Sequence, residues 1–286
     1  MSLRRCVQAW IVATALVLPV ALVGPATPAH ADECFYEYYF LGMHGVGEGP
    51  SDTIPTTSIV IQETKDVFEW EMRHTYDKKA VGWAVSYASA SQDHWYSFAT
   101  ITPAEEDGER QLRTAIEDQI NTCVGRDPKF VLSGYSMGAW VIGNFLADKN
   151  NAAFLPRIKA VMLYGDPNRY RYPEGKTKGK TYYQGLAQWW GQRPTKNYPV
   201  SRERTLSICL EKDPVCGEGY PNTVGSRHDI TRDTQTQDAA GCPATKCAHL
   251  KYVKDNRETA EQDGYGLTDL GGHFLAEFAA TGHWSG

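Results

Sequence analysis

Short apolar runs alternate along the chain with segments whose apolar positions recur at helical spacing. Within residues 103–122, Leu112, Ile116 and Ile120 share one helical face, and residues 139–146 and 267–280 also predict helices. Strands separated by helices at this spacing predict an α/β fold, a three-layer sandwich with a central, mainly parallel sheet. The segments that predict strands span residues 36–41, 81–87, 130–132, 158–163 and 205–208.

Three acidic residues, Glu105, Glu106 and Asp107, lie close to the predicted start of the first helix. The N-terminal end of a helix carries a partial positive charge that carboxylates stabilise. We therefore interpret these residues as the acidic first turn of a helix over residues 103–122.

The N-terminal residues have the features of an export signal. Two arginines precede an apolar stretch at residues 9–24, and Ala29-His30-Ala31 offers the small-x-small pattern that a signal peptidase cleaves. This predicts a cleaved signal peptide at residues 1–31, a single domain at residues 32–286, and a secreted, extracellular protein. The apolar stretch is too short for a membrane anchor, so stable membrane insertion is not expected.

The charge pattern argues against one class of partner. The formal net charge is −5, and charged residues are scattered along the chain instead of forming a basic patch or tail. Binding to nucleic acid is therefore not expected. We expect a monomer that needs no metal and no organic cofactor.

Cysteine usage points to disulfides. Removal of the predicted signal peptide takes one of the seven cysteines, Cys6, and leaves an even number in an oxidising compartment, which predicts three disulfides. No cysteine and histidine set has zinc-finger spacing, so a zinc site is the less favoured interpretation. Spacing favours two short local loops, Cys209 with Cys216 and Cys242 with Cys247, and leaves Cys34 to pair with Cys123.

A single serine lies at the centre of Gly134-Tyr135-Ser136-Met137-Gly138, between a predicted strand and a predicted helix. A nucleophile elbow requires this context, because a sharp turn must lift the serine oxygen above the sheet edge while glycines admit the close backbone. Ser136 is therefore the candidate nucleophile. The amide of Met137, at the start of the helix, would face a developing oxyanion.

A serine nucleophile needs a histidine base and a carboxylate, and in α/β-hydrolases these follow it in the order acid, then histidine. Asp213 follows a predicted strand inside the loop that Cys209 and Cys216 would close, and this closure would fix its carboxylate. Asp166 also follows a predicted strand and is the rival acid.

Four histidines lie further downstream as candidate bases. His273 falls inside the last predicted helix and His283 near the C-terminus, where a packed or surface role is more common. The sequence therefore leaves two candidate bases, His228 and His249.

Several segments occur together in one order: Gly134-Tyr135-Ser136-Met137-Gly138-Ala139, Tyr164-Gly165-Asp166-Pro167, Asn197-Tyr198-Pro199, Asp213-Pro214-Val215 within the cysteine loop, and His249-Leu250-Lys251-Tyr252. This set resembles the cutinase family of secreted serine esterases. The resemblance runs across most of the predicted mature chain.

The resemblance implies a compact α/β-hydrolase that cleaves carboxylic esters with a triad of Ser136, Asp213 and His249. In the cutinase family the base precedes a Leu-x-Tyr-like segment ahead of the final helix, and this position favours His249. His228 is nearer to Asp213 in sequence and remains the alternative base. The resemblance also implies the pairs Cys34–Cys123 and Cys209–Cys216, whereas Cys242 and Cys247 lie in a segment, about residues 217–248, that most cutinases lack.

The chain departs from the family at the turn after the first strand. Cutinases usually carry Arg-Gly-Ser or Arg-Gly-Thr there, where the hydroxyl helps to bind the oxyanion, and this chain reads His44-Gly45-Val46. Val46 offers only its backbone amide, so we expect an oxyanion hole built from the amides of Val46 and Met137. We interpret His44 as a structural hydrogen-bonding residue.

A second departure is the aromatic-rich stretch at residues 170–198, which is longer than its cutinase counterpart. Because ligands approach open α/β sheets at strand C-terminal ends, it would either line an acyl or sugar groove or pack as a long loop. The predicted function is a secreted ester hydrolase of cutinase or lipase type, acting on lipid, polyester or acylated glycan. The alternatives are an esterase for cell-envelope glycolipid or acetylated polysaccharide, and an inactive secreted lipid- or glycan-binding homologue.

Overall fold

The core of the protein is a β-sheet, seen in a computed structural model that describes residues 33–46, 59–85, 98–168, 176–178, 204–209, 213, 215–216, 252 and 266–285. All of these residues belong to one compact unit, Glu33–Gly286. The strands described are β1 (Tyr38–Met43), β2 (Ala80–Val85), β3 (Lys129–Tyr135), β4 (Ile158–Tyr164), β5 (Lys176–Lys178) and β6 (Thr205–Ile208). Within these ranges they form a six-stranded sheet in the order β2-β1-β3-β4-β6-β5, with every pairing parallel.

Helices cover both faces of this sheet. They are α1 (Ile59–His74), α2 (Phe98–Thr122), α3 (Met137–Ala147) and α4 (Leu267–Thr281). Strand side chains alternate between the two faces of a sheet. Accordingly, Leu41 and Met43 of β1 pack in one core cluster with α2 and α3, whereas Tyr38 and Phe40 pack in a second cluster with α1 and α4. The predicted three-layer α/β fold is confirmed.

The predicted elements lie close to the observed ones. β6 has the predicted bounds, and α4 ends one residue beyond its predicted end. β1 begins and ends two residues later than predicted, so Gly42 is part of the strand and the turn begins at His44. Among the described residues, no helix combines the length and apolar composition needed to cross a membrane.

Helix α1 is an element that the apolar pattern does not predict. Phe68 and Met72 are buried one turn apart, but the position one turn earlier is Thr64, a polar residue. Thr64 is nevertheless fully buried, because its Oγ1 donates to the Val60 carbonyl at 2.7 Å and lies 2.8 Å from the Tyr164 hydroxyl. A buried hydrogen-bonded threonine therefore interrupts the apolar periodicity of a helix that is otherwise amphipathic.

The interpretation of Glu105, Glu106 and Asp107 as an acidic first turn is wrong. α2 begins at Phe98, so Pro103 lies inside the helix and no acidic residue lies in its first turn. Glu105 is instead buried between helices, where its Oε1 accepts a hydrogen bond from Asn144 of α3 at 2.6 Å. Its role is a contact between α2 and α3 and not a helix-dipole interaction.

A disulfide joins Cys34 to Cys123, one of the pairs that cysteine spacing favours. It ties the segment before β1 to the residue after α2, across a sequence separation of 89. Closing so long a loop removes many conformations from the unfolded chain. The disulfide therefore stabilises the fold mainly by restricting the unfolded state.

We expect the Cys34→Ala, Cys123→Ala double variant to lose about 4.6 kcal/mol of unfolding free energy, the value that loop-closure entropy gives for a sequence separation of 89. The measurement is urea denaturation of both proteins under non-reducing conditions. A loss below about 1 kcal/mol would show that the unfolded chain is already restricted by other means.

Candidate active site

Ser136 lies in a strained turn between the end of β3 and the start of α3. Its backbone has φ 55° and ψ −118°, a conformation that side-chain-bearing residues rarely adopt. Holding such a residue costs on the order of 1–3 kcal/mol, so surrounding contacts must fix it. The Ser136 amide donates to the Tyr164 carbonyl of β4 at 2.8 Å, and the Ser136 carbonyl accepts from Trp140 at 3.1 Å. This is the backbone geometry of a nucleophile elbow.

Two glycines make this turn sterically possible. A Cβ on Gly138 would lie 2.2 Å from the Met43 carbonyl oxygen, and one on Gly134 would lie 2.6 Å from the Ala139 amide nitrogen. Both distances are far below any van der Waals contact, and the atoms that would be met are backbone. The first turn of α3 therefore lies directly against the C-terminal end of β1, where the segment 44–46 begins.

The two candidate oxyanion donors lie on these adjoining segments. Met137 is the first residue of α3, and amides in a helix's first turn have no partner within the helix. Val46 lies three residues beyond the end of β1, and its half-buried side chain packs against the core cluster on the α2 and α3 side. Backbone amides at a helix N-terminus favour developing negative charge.

His44 is buried beside the elbow. Its Nδ1 lies 2.8 Å from the Gly45 carbonyl oxygen, a contact in which the ring nitrogen is the donor. Burial lowers the pKa of His44, so the ring is neutral at neutral pH and holds the turn through this hydrogen bond. The geometry supports a structural role for His44.

Asp213 follows β6 and is fully buried inside the loop closed by the Cys209–Cys216 disulfide. Its Oδ1 accepts a hydrogen bond from the Val215 amide at 2.8 Å, and its Oδ2 accepts one from the Tyr252 hydroxyl at 2.6 Å. Among the described residues, the cluster with metal-ligand spacing is Cys209, Asp213 and Cys216. Its sulfurs are joined in the disulfide, so they cannot act as thiolate ligands.

Tyr252 links this acid loop to the elbow. The Tyr252 ring centroid lies 5.8 Å from that of Tyr135, the residue before Ser136, and 5.9 Å from that of Tyr164. The sequence alone did not predict a role for Tyr252. The sequence feature that could have indicated a role is the position of Tyr252, three residues after the candidate base His249.

Asp166, the rival acid, is also fully buried beyond a strand end. Its Oδ1 accepts from the Asn168 amide at 2.8 Å, which is the same local turn that Asp213 makes with Val215. The Asn168 side chain in turn donates to Asn144 of α3 at 3.3 Å. The turn of Asp166 therefore connects to the α3 side of the sheet and to the polar contacts between α2 and α3.

Those contacts include a carboxyl with an altered pKa. Burial, followed by a hydrogen bond and charge repulsion from Glu105, raises the pKa of Glu109 to about 9. Asp148 adds to this effect and Arg113 opposes it. A carboxyl whose pKa is higher folded than unfolded contributes stability that is complete below its unfolded pKa of about 4.5 and lost as pH rises toward 9.

We expect Glu109→Gln to remove that loss. When the pH is raised from 5 to 9, the parent protein should lose about 1 kcal/mol of unfolding free energy that the variant does not lose. The expected difference is modest because solvent screens this half-buried group. Denaturation at both pH values measures the change, and Glu106→Gln, at an exposed site on the same helix, is the matched control. Equal pH dependence in all three proteins would contradict the prediction.

The remaining candidates divide into those with structural contacts and those outside the described residues. His273 of α4 has Nδ1 3.0 Å from Oε1 of Glu71 on α1, and His283 is exposed after α4, so both have the structural character expected of them. The candidate bases and the third cysteine pair lie outside the described residues, as does the aromatic stretch apart from β5. Those residues are His228, His249, Cys242, Cys247 and, within 170–198, all but 176–178.

Comparison with known proteins agrees with this α/β-hydrolase architecture. The model of the cutinase family matches residues 56–262, well over half of the chain. The chain therefore belongs to the cutinase family, whose relatives are cutinases and carboxylesterases. The matched range contains the elbow, both candidate acids and both candidate bases.

Individual relatives are distant. The chain is 24% identical over 249 residues to the carboxylesterase Culp1 of Mycobacterium tuberculosis, covering 84% of this chain and 94% of that protein. It is 31% identical over 108 residues to cutinase cut1 of Trichoderma harzianum, a match that spans only 33% of that protein and 38% of this chain. A solved acetylxylan esterase superposes with a TM-score of 0.49 at 19% identity, covering 74% of this chain and 98% of that one.

Proposed function

We propose that this protein is a secreted serine carboxylic ester hydrolase of cutinase or lipase type, with Ser136 as its nucleophile. The observation that carries the proposal is the strained backbone of Ser136, at the junction of a central parallel strand and a helix. Backbone strain of this kind persists only where surrounding contacts impose it, and it exposes the serine oxygen above the sheet edge. Membership of a family of ester hydrolases supports the same assignment.

Asp213 is proposed as the acid that orients the base. Both of its oxygens accept hydrogen bonds, its loop is closed by a disulfide, and Tyr252 links it to the residue before Ser136. Asp166 has the same local turn, but its neighbour Asn168 bonds to α3. These contacts favour Asp213 over Asp166.

His249 is proposed as the base because of its covalent distance from Tyr252. Three residues of chain span at most about 11 Å, and His249 precedes Tyr252 by three residues in the sequence. The hydroxyl of Tyr252 is itself 2.6 Å from the Asp213 carboxylate. His228 lies much further away along the chain and has no such constraint, and it remains the alternative base.

The proposed reaction has two halves. The Ser136 oxygen attacks the ester carbonyl carbon while the histidine takes its proton, and the amides of Met137 and Val46 stabilise the oxyanion. The imidazolium then protonates the departing alcohol, which leaves an acyl-enzyme. Water, deprotonated by the same histidine, attacks the acyl carbon. The imidazolium then gives this proton to the departing Ser136 oxygen, which releases the carboxylic acid and restores the free serine and the neutral histidine.

The disulfides support export to an oxidising compartment, because cytosolic thiols are kept reduced. The substrate is proposed to be a carboxylic ester with an accessible acyl group, the bond class that the names of the cutinase and carboxylesterase relatives denote. Val46 has no hydroxyl to offer the oxyanion, so this site relies on its two amides.

The test is hydrolysis of p-nitrophenyl esters from acetyl to palmitoyl, together with fluorophosphonate labelling and peptide mapping. We expect turnover on at least part of the series and stoichiometric labelling at Ser136. The chain-length profile separates an acetyl esterase from a cutinase or lipase. Absence of both turnover and labelling in the folded protein would overturn the proposal in favour of a binding protein.

A further inference from the structure

Tyr252 stands out because one fully buried side chain contacts several parts of the proposed site. Its hydroxyl donates to Asp213 Oδ2 at 2.6 Å and lies 3.5 Å from Cys216 Sγ, while its ring packs on Tyr135 and Tyr164. We infer that Tyr252 is a positioning residue that holds the Asp213 carboxylate in register with the elbow serine. This inference rests on the proposed esterase function.

The hydrogen bond fixes the carboxylate's orientation. An ionised carboxylate only accepts, so the Tyr252 hydroxyl is the donor, and such charge-assisted O–H···O bonds are short and strong. The second oxygen, Oδ1, is held by the Val215 amide. With one donor on each oxygen, the plane of the carboxyl group is fixed relative to its loop.

The ring fixes the same loop relative to Ser136. Tyr135 is joined to Ser136 by a peptide bond, and the Tyr164 carbonyl accepts the hydrogen bond from the Ser136 amide. Tyr252 lies 5.8 Å and 5.9 Å from these two rings, at interplanar angles of 59° and 72°. One aromatic side chain therefore contacts two residues that adjoin the Ser136 backbone, one through a peptide bond and the other through a hydrogen bond.

Chain connectivity extends this role to the proposed base. Tyr252 follows His249 by three residues, so a change at Tyr252 is expected to affect the proposed base as well as Asp213. The titratable groups described around this contact are Asp213, Tyr135 and Tyr164. The described contacts of Tyr252 reach Asp213 and the two tyrosines next to the Ser136 backbone, so Tyr252 acts through the geometry of the triad.

The hydroxyl also moderates the charge of Asp213. Without this donor, the carboxylate would present more negative charge to a neighbouring imidazolium and would stabilise its protonated form. The acid limb of the kcat/KM profile reports the pKa of the base in the free enzyme. Loss of the Tyr252 hydroxyl would therefore move this limb to higher pH. A purely structural role for Tyr252 would leave that limb unchanged.

The experiment compares Tyr252→Phe with Tyr39→Phe. Tyr39 is the matched control because it is also buried and lies near the start of β1, at the end of the strand away from Ser136. Its hydroxyl donates to the Tyr36 carbonyl at 3.0 Å and lies 3.8 Å from a disulfide sulfur, Cys123 Sγ. Fluorophosphonate titration counts active sites, so unfolded protein does not enter kcat. For Tyr252→Phe we expect kcat to fall about tenfold with KM little changed, and the acid limb to move to higher pH.

A double-mutant cycle with Asp213→Asn provides the second test. If Tyr252 acts through Asp213, adding Tyr252→Phe to Asp213→Asn lowers kcat by much less than it does in the parent protein. An unshifted acid limb, a Tyr252→Phe profile equal to that of Tyr39→Phe, or full additivity in the cycle would overturn the inference while leaving the esterase proposal standing. If the parent protein itself neither turns over esters nor labels, the proposed function fails and this inference fails with it.

Discussion

Ser136→Ala is expected to lower kcat on p-nitrophenyl esters by about 10⁶-fold and to abolish fluorophosphonate labelling, the order seen when a serine hydrolase loses its nucleophile. The change removes one oxygen and keeps Cβ, so the strain at φ 55° is no greater than in the parent. The backbone bonds to Tyr164 and Trp140 do not involve the side chain and remain. The unfolding free energy should therefore change by less than about 1 kcal/mol.

Ser133→Ala is the matched control for this variant. Ser133 is a fully buried serine on β3, three residues before Ser136, and it lies within the sheet instead of at the elbow. It should keep kcat within about threefold of the parent while labelling normally. If Ser136→Ala retains more than about 1% of parental turnover, the nucleophile lies elsewhere and the elbow assignment is wrong.

The elements that sequence predicted best are those whose pattern is local. β6 is a four-residue segment, Thr205-Leu206-Ser207-Ile208, in which polar and apolar residues alternate, and its bounds agree with the prediction. The turn at Ser136 was predictable because strand, glycine, serine, glycine and helix are adjacent in sequence. The steric reason for Gly134 is local, whereas Gly138 is required by the distant Met43 carbonyl. Cys209 and Cys216 are likewise separated by only seven residues.

The features that sequence did not predict depend on contacts between distant residues. Thr64 is buried because Tyr164 lies against it, 100 residues away, so the pattern of α1 is not readable from the segment alone. Glu105 faces Asn144 on another helix, which a local dipole argument does not anticipate. The hydroxyl of Tyr252 meets Asp213 across 39 residues, and only the assembled sheet brings them together.

Asp213→Asn is expected to lower kcat by about 10⁴-fold, because an amide cannot hold the base's tautomer or stabilise the imidazolium. Asn preserves the side-chain volume, and its oxygen still accepts from the Val215 amide, so the loop should stay folded within its disulfide. The measurement is kcat per titrated active site across the responsive ester chain lengths. Thermal melting of both proteins is the control that distinguishes a loss of catalysis from unfolding.

Asp166→Asn is the control that distinguishes the two acids. Asp166 has the same burial and the same 2.8 Å contact to the amide two residues on, but the turn it belongs to connects to α3 through Asn168. Its amide variant should lose stability comparably and keep kcat within about tenfold. If Asp166→Asn is the variant that loses about 10⁴-fold, the acid lies beyond β4 instead of β6. The link through Tyr252 is then a packing contact, since it would connect the elbow to a carboxylate with no part in proton transfer.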